Sequence, residues 1–268
     1  MTRQQKLLID GNTYEITVSD EREALLAAKA AGRAFVAVGG EMFSGIGVEY
    51  AAEAFEAVDE EYLERVLRRH LGLPWHIIES DRLLIRELTP EDFASVSQEE
   101  DAFSNEEQYL AYLKSQYRFY EYGLWGIERR ADGILVGTAG VWDYEKKRTG
   151  NNRVKIHEPQ NVWKWKNRDL KNGICQSQSS GHSDNRDKAE NETGKDFVLQ
   201  LELGYRTFAP YRRKGYAEEA CKLILSYVEK WYGDDYELFA VTKASNLASE
   251  SLLKKLNFIR YPKMTEKS

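Results

Sequence analysis

The chain has 268 residues, 42% hydrophobic and 31% charged, which describes a globular protein long enough to bury one large core or two modest ones. No run approaches the roughly 18 apolar residues of a membrane span, two isolated cysteines (Cys175 and Cys221) exclude a disulfide framework, and His70, His76, His157 and His182 lack metal-ligand spacing. A formal net charge of −6 argues against non-specific nucleic-acid binding, which needs a Lys/Arg-rich surface. The N-terminus offers three apolar residues before Asp10, so no signal peptide is expected and the expected location is the cytoplasm. From there, Leu7–Asn12 and Tyr14–Val18 read as strand, turn and strand. Asp20 caps a helix bearing Ala24, Leu25, Ala27, Ala28 and Ala31, stopped by Gly32. Ala34–Gly40 is a short buried strand, and a second helix from about Glu60 to Leu71 gathers Tyr62, Leu63, Val66, Leu67 and His70 on one face.

The helix, glycine and buried strand of this first block resemble the closing unit of a haloacid-dehalogenase-like Rossmannoid fold. Such hydrolases depend on an early Asp-x-Asp strand, which this chain lacks; Asp10 is a lone acid beside a turn glycine. The expected domain division is therefore a small α/β extension over residues 1–76, structural or docking in role, and a main domain over 77–268.

That main domain opens on an alternating strand, Glu79–Leu88, and a helix start at Thr89-Pro90-Glu91-Asp92, with Pro at the first helical position. Ser104-Asn105-Glu106-Glu107 begins a second helix that runs to about Tyr120 and is rich in Tyr109, Tyr112, Tyr117 and Tyr120. Strands at Gly123–Arg129 and Ile134–Trp142 flank an Asp132-Gly133 turn as a hairpin. Residues 144–196 are then a polar insertion rich in Asn, Lys, Ser and Gly. Within it Val162-Trp163-Lys164-Trp165-Lys166 alternates aromatic or apolar with basic residues. That pattern suits an acidic partner or a stacked ligand, or a small strand pair in a flexible insertion.

After the insertion comes the most informative segment. Phe197–Tyr205 alternates with period two, Arg212-Arg213-Lys214-Gly215-Tyr216-Ala217 follows, and Ala220, Leu223, Ile224, Tyr227, Val228 and Trp231 then recur at helical spacing. A strand, a glycine-bearing turn and a helix start leave unpaired N–H groups pointing outward, which is a cradle for phosphate. The three cations add positive charge there, and Gly215 lets a ligand approach the backbone. Leu238–Thr242 is a further strand, and Asn246 begins a helix ending near Leu256.

The R-x-x-G-x-A turn, so placed, resembles the pyrophosphate-binding motif of the GNAT acetyltransferase superfamily. Arg82-Leu83-Leu84-Ile85-Arg86-Glu87-Leu88-Thr89-Pro90-Glu91-Asp92 resembles the opening of its ribosomal-protein-type branch. Asn246-x-x-Ser249-x-x-Leu252-x-x-Lys255-Leu256-Asn257-Phe258 resembles the family's last helical signature, with Asn257 where Gly is usual. Asn tolerates the left-handed backbone of a helix end, so the exchange is mild. Over about residues 80–143 and 197–262, the resemblance implies an α/β GNAT fold: a mixed central sheet, a bulged and splayed strand, and flanking helices, with the N-terminal α/β subdomain added.

The same resemblance implies acetyl-CoA as co-substrate, no metal, and transfer to a primary amine, on a protein N-terminus or a small molecule, by direct attack. Main-chain groups of Arg213, Lys214, Gly215, Tyr216 and Ala217, with Arg212 beside them, are expected to hold the diphosphate. Those of Arg206, Thr207 and Phe208 hold the pantetheine arm and face the thioester carbonyl. Asn246 bonds the pantetheine or a fixed water, and Ser249 lies by the sulfur. Glu202 is the candidate base, directly or through water, with a solvated or salt-bridged strand acid as the plain alternative. Many relatives carry a tyrosine general acid at the position of Leu253, and relatives acting on protein N-termini often carry Glu at that of Val241; both are absent here, so the thiolate leaves without a dedicated proton donor or Ser249 assists. Tyr205 and Tyr211 read as packing. The chain also stops ten residues past Phe258, short of the family's last strand, so the insertion, the N-terminal block or a second subunit of a homodimer would complete the sheet. A non-catalytic CoA-binding module and a hydrolase run by the first block are the other function classes.

Overall fold

The computed structural model describes residues 1–39, 43, 45–99, 103–144, 160–166, 198–233 and 236–261. They divide into two compact units.

The first unit comprises residues 1–75, 88–93 and 103–121. Its sheet has the order β1-β2-β3-β4, from β1 (Thr2–Ile9), β2 (Asn12–Ser19), β3 (Ala34–Val38) and β4 (Ala51–Ala52). β1 and β2 are antiparallel, joined at Asp10 and Gly11 with left-handed φ of 49° and 83°; the remaining pairs are parallel. Asp10 sits 3.4 Å from Arg68, a turn acid with an ion partner. Helix α1 (Arg22–Ala30) has Glu21, not Asp20, as its N-cap; Asp20 pairs with the terminal amine instead. Helix α2 (Glu60–His70) is capped by the Asp59 carboxylate, which accepts from Tyr62 N at 2.7 Å. Ile9, Ile16, Val18, Val36, Leu63, Val66 and Leu67 form the core between α2 and the sheet. Helix α4 (Glu106–Tyr120) also belongs to this unit, its first turn capped by Asn105. Tyr109 and Tyr117 are buried core residues: the first donates its hydroxyl to the Thr89 carbonyl at 2.8 Å, and the second accepts from Leu88 N at 3.1 Å.

The second unit holds an eight-stranded sheet in the order β12-β9-β11-β10-β8-β7-β6-β5. The strands are β5 (His76–Glu79), β6 (Leu83–Glu87), β7 (Leu124–Arg129), β8 (Ile134–Asp143), β9 (Gln160–Trp165), β10 (Leu199–Thr207), β11 (Tyr236–Lys243) and β12 (Phe258–Tyr261). β10 and β11 run parallel, and every other neighbouring pair is antiparallel. Helices α5 (Tyr216–Tyr232) and α6 (Leu247–Lys255) flank the sheet, and the short α3 (Phe93–Glu99) contributes its C-terminal part. β6 is buried along its whole length, Arg86 and Glu87 included, and the Arg86 guanidinium is satisfied by Glu128 at 2.6 Å.

The insertion supplies a strand of this sheet, and the C-terminal β12 forms its edge. β9 lies between β11 and β12, antiparallel to both. Trp163 is 2% exposed and donates its indole N–H to Thr242 Oγ1 at 3.2 Å, Trp165 donates to the Leu256 carbonyl at 3.0 Å, and Asn161 donates to Glu250 at 2.7 Å. The aromatic–basic alternation is thus a strand with its tryptophans turned to the core and α6, rather than a displayed ligand platform. Residues 145–159 and 167–196 of the insertion lie outside the described residues.

Two close approaches need glycine. A Cβ on Gly140 would lie 1.9 Å from the Gly123 carbonyl oxygen, and one on Gly204 1.9 Å from the Trp142 ring. Gly140→Ala is expected to cost about 3 kcal/mol, the range of overpacked cores, and to lower the melting temperature by roughly 10 °C; an unchanged melt would mean that β7 and β8 can part locally.

Candidate active site

The site begins where two parallel strands stop pairing. β10 and β11 are in register only from Leu199↔Tyr236 to Glu202↔Phe239. Beyond that point β10 keeps an unbroken ladder to β8, from Leu201↔Asp143 to Thr207↔Gly137, while β11 pairs with β9 as far as Lys243↔Gln160. The predicted splay is therefore present on the β11 side of β10, and it opens a gap through the sheet. Register shifts in this sheet fall elsewhere, between His76 and Ile78 and between Ile127 and Glu128.

At the end of β10 the chain makes a single 3-10 turn, Ala209–Tyr211, and reaches α5 through Arg212–Gly215. Arg213 and Gly215 both have left-handed φ, 64° and 82°. Such a turn directs successive N–H groups to one side, an anion-binding concavity. Gly215 is the N-cap of α5 and offers no side chain to the first-turn amides, which have no intrahelical partner. The residues of this first turn line a cavity of about 240 Å³. Of the residues expected to hold the co-substrate, Thr207, Arg213, Gly215, Tyr216 and Ala217 line it, and α6 supplies the opposite wall through Ala248, Ser251, Leu252 and Lys255.

The other expected residues take different places. Arg212 folds back, donating Nε to the Thr207 carbonyl at 3.1 Å with its guanidinium 3.7 Å from Glu99. Phe208 is buried, and its N–H already donates to the Val136 carbonyl at 2.9 Å, so it anchors the turn. Arg206 stands in register with Thr138. Lys214 lies with Nζ 5.5 Å from the Tyr211 ring centroid. Asn246 caps α6, its Oδ1 accepting from Ser249 N at 3.1 Å. Ser249 is half-buried, and its carbonyl accepts from Tyr205 Oη at 3.4 Å. Leu253 is core. Asn257 has φ 63°, the left-handed helix end expected of it.

Glu202 marks the last pair before the gap. Register partners share a face of the sheet, so its carboxylate shares one with Trp142 on β8 and Phe239 on β11. Tyr144 stacks on Phe239 at 4.3 Å and 19°, and its phenol is pushed up first by burial and then by the charge of Glu202. Lys164 of β9 lies over the Phe239 and Tyr261 rings and is paired with Glu237. An acid beside aromatic rings at a gap in the sheet can take a proton from an amine presented there.

Three contributors are not evident from local sequence. Glu99 accepts from Ala209 N at 3.1 Å as well as facing Arg212. Arg82, on the turn before β6, lies 3.7 Å from where a Gly215 Cβ would be and is held by Glu219, which also accepts from Ser80 at 2.7 Å. Burial would raise the Glu219 carboxyl, but the hydrogen bonds from Arg82 and Ser80 hold it below its usual value. Glu218, on the cavity wall, is also lowered, by Lys222 first and then Lys255. Arg82 and Glu219 are far apart along the chain, and their pairing has no periodic signature.

Residues 151–259 match the family model of an acetyltransferase (GNAT) domain. That span runs from ahead of β9 into β12 and contains the splay, the turn and both walls of the cavity, and the match supports acetyl transfer in general. The eight-stranded sheet with its flanking helices is a GNAT fold. Similar solved structures include a putative GnaT-family acetyltransferase from Bordetella pertussis (16% identity, TM-score 0.46, 72% of this chain and 94% of that one). Others are a GNAT-family acetyltransferase from Bacillus anthracis (16%, 0.41, 69% and 84%) and a putative ribosomal-protein-serine acetyltransferase from Vibrio cholerae (15%, 0.39, 68% and 82%). No curated protein matches the chain, and no comparison supports the haloacid-dehalogenase-like resemblance of the first block. Among the described residues no cluster of His, Cys, Asp or Glu is placed to hold a metal, and no helix is long and apolar enough to cross a membrane.

Proposed function

We propose that the chain is an acetyl-CoA-dependent N-acetyltransferase that acts on a primary amine, of a protein N-terminus or a small molecule. The observation that carries this reading is the cavity at the α5 start, lined by Arg213, Gly215 and Ala217 and lying beside the gap between β10 and β11. First-turn amides and the helix dipole favour an anion there, and diphosphate is the anion of coenzyme A. The pantetheine arm then runs into the gap, and its thioester reaches the level of Glu202. The amine, deprotonated by Glu202, attacks the thioester carbonyl directly, and main-chain donors where β10 and β11 part would serve the developing negative charge.

Two tests divide the reading. Calorimetric titration with acetyl-CoA beside thiol release over an amine panel is expected to give binding and turnover together; binding without turnover on any amine favours a CoA-binding module instead. The presence of β9 removes one ground for that module, an incomplete sheet. Glu202→Gln is expected to lower turnover by about 100-fold at neutral pH, in the range of general-base loss, and less at high pH, where the amine deprotonates unaided. A pH–rate profile parallel to the wild type would remove Glu202 from the mechanism. A reducing cytoplasm suits Cys221, a free thiol whose burial pushes its pKa up and leaves it inert.

A further inference from the structure

We propose that the first unit holds a binding site for a small organic anion, a carboxylate or phosphate monoester on an apolar body, in a cavity at the N-terminal end of β3. The site is built from residues of the first unit alone and does not depend on acetyl-CoA.

The cavity begins where the edge pairing of the four-stranded sheet gives out. β4 is in register with β3 only at Ala37↔Ala51 and Val38↔Ala52. On that side of β3 the Ala37 N–H donates to the Tyr50 carbonyl at 3.0 Å and the Gly39 N–H to the Ala52 carbonyl at 2.9 Å. The same alternation turns the Phe35 N–H to this side, one step before the ladder starts. There β3 and the chain leading into β4 both line a cavity of about 270 Å³, at the small end of ligand pockets. Its apolar wall is Phe35, Tyr50 and Val66. Phe35 packs on Leu25, Ala37 and Ile46, and Tyr50 on the core that includes Val66, so this wall is anchored from both faces of the sheet.

The polar wall is cationic: Lys29, Arg33 and His70 line the same cavity. Lys29 is exposed, with Nζ at the Ile46 carbonyl and 3.1 Å from where a Gly47 Cβ would be. That bond uses one of the three N–H groups of the ammonium. Arg33 is the under-satisfied member. Its Nη1 is 3.7 Å from Glu15, an ion pair too long for a hydrogen bond, and its Nε is buried with no hydrogen-bond partner among the described residues. A buried donor without an acceptor is costly, and an oxyanion beside it removes that cost. His70 donates Nε2 to the Gly32 carbonyl at 3.0 Å, which fixes its ring.

The acid of the lining, Glu49, is already paired with Arg118 at 3.3 Å. With ion partners counted, Lys6, Lys29, Arg33 and Arg118 stand against Glu15 and Glu49, an excess of two positive charges before His70 is protonated. Helices α1 and α2 both end beside the cavity, and the cations of their last turns, Lys29 and His70 among them, offset the negative pole of those ends. An anionic head on the cations, with its body on Phe35, Tyr50 and Val66, satisfies both walls. A cationic ligand would meet an excess of like charge.

The probes are benzoate, phenyl phosphate, the uncharged benzamide and inorganic phosphate, each titrated into the full chain and followed by ligand-observed NMR. Benzoate or phenyl phosphate is expected to bind with Kd on the order of 1 mM or tighter, as ligands of about ten heavy atoms can. Benzamide, which has the shape of benzoate without its charge, should bind at least about tenfold more weakly. A preference for phenyl phosphate identifies a phosphate ester as the head, and a preference for benzoate a carboxylate. Lys29→Gln and Arg33→Gln are each expected to weaken the preferred anion about tenfold, the low end of a charge-assisted hydrogen bond, with melting temperatures close to the wild type. The turn before α5 is a second candidate for the same probes, and these variants decide between them: binding that both leave unchanged belongs elsewhere and overturns the proposal. Benzamide binding as tightly as benzoate, inorganic phosphate binding as tightly as phenyl phosphate and benzoate, or no binding of either organic anion overturns it too. If one substitution unfolds the unit, the other reads the same site through a different cation, and the comparison of benzoate with benzamide needs no variant.

Discussion

Gly215→Glu is expected to abolish acetyl-CoA binding, with calorimetric affinity falling by at least 100-fold, about 2.7 kcal/mol. Three effects act together. Gly215 has φ 82°, and a non-glycine residue in that region is strained by about 1–2 kcal/mol. Gly215 lines the cavity, so a side chain there takes up space at the proposed ligand site. Most important is the sign of the charge. A carboxylate about 5 Å from a phosphate in a medium of effective dielectric ~20 is repelled by about 3 kcal/mol per pair, and it would take the first-turn amides for itself.

Gly215→Ala separates these effects. A Cβ there meets only the Arg82 guanidinium, at 3.7 Å, so alanine adds backbone strain without steric conflict or charge. Its affinity is expected to fall about tenfold or less, in proportion to the ~1 kcal/mol of strain. If Gly215→Glu binds acetyl-CoA as the wild type does, the diphosphate lies elsewhere and the functional reading fails with it.

The parts of this site that local chemistry dictates are legible in the sequence. A glycine between a strand and an amphipathic helix identifies the α5 turn, Asn257 takes the left-handed conformation its chemistry permits, and Asp132-Gly133 joins β7 and β8 as a hairpin. The parts set by pairing across long separations are not. Glu99 and Arg82 reach the turn from more than a hundred residues away, and each reads locally as an ordinary surface charge. Asn246 shows a different limit. The same side chain fits a ligand contact or a helix cap, and the structure gives its carbonyl oxygen to the cap. Tyr205 reads as packing, and the structure turns its hydroxyl to the Ser249 carbonyl of α6 at 3.4 Å.

The second large effect concerns β9. Deleting residues 160–165 is expected to yield insoluble protein. β12 sits at the sheet edge with β9 as its neighbour, and β11 pairs with β9 over Phe239–Lys243, so removal strips β12 of its ladder and turns the far half of β11 into an open edge. Open apolar edges pair with other chains. The milder Trp163→Ala removes a side chain 2% exposed, a large-to-small change worth about 3–5 kcal/mol, and leaves the Thr242 hydroxyl without its donor. That variant should remain soluble at low temperature and melt roughly 10 °C or more lower, with faster amide exchange in β11 and β12 than in β6 and β7. If the β9 deletion folds and melts as the wild type does, the sheet is completed by some other segment, and the wall of the gap opposite Glu202 is not the one described by Phe239 and Lys164.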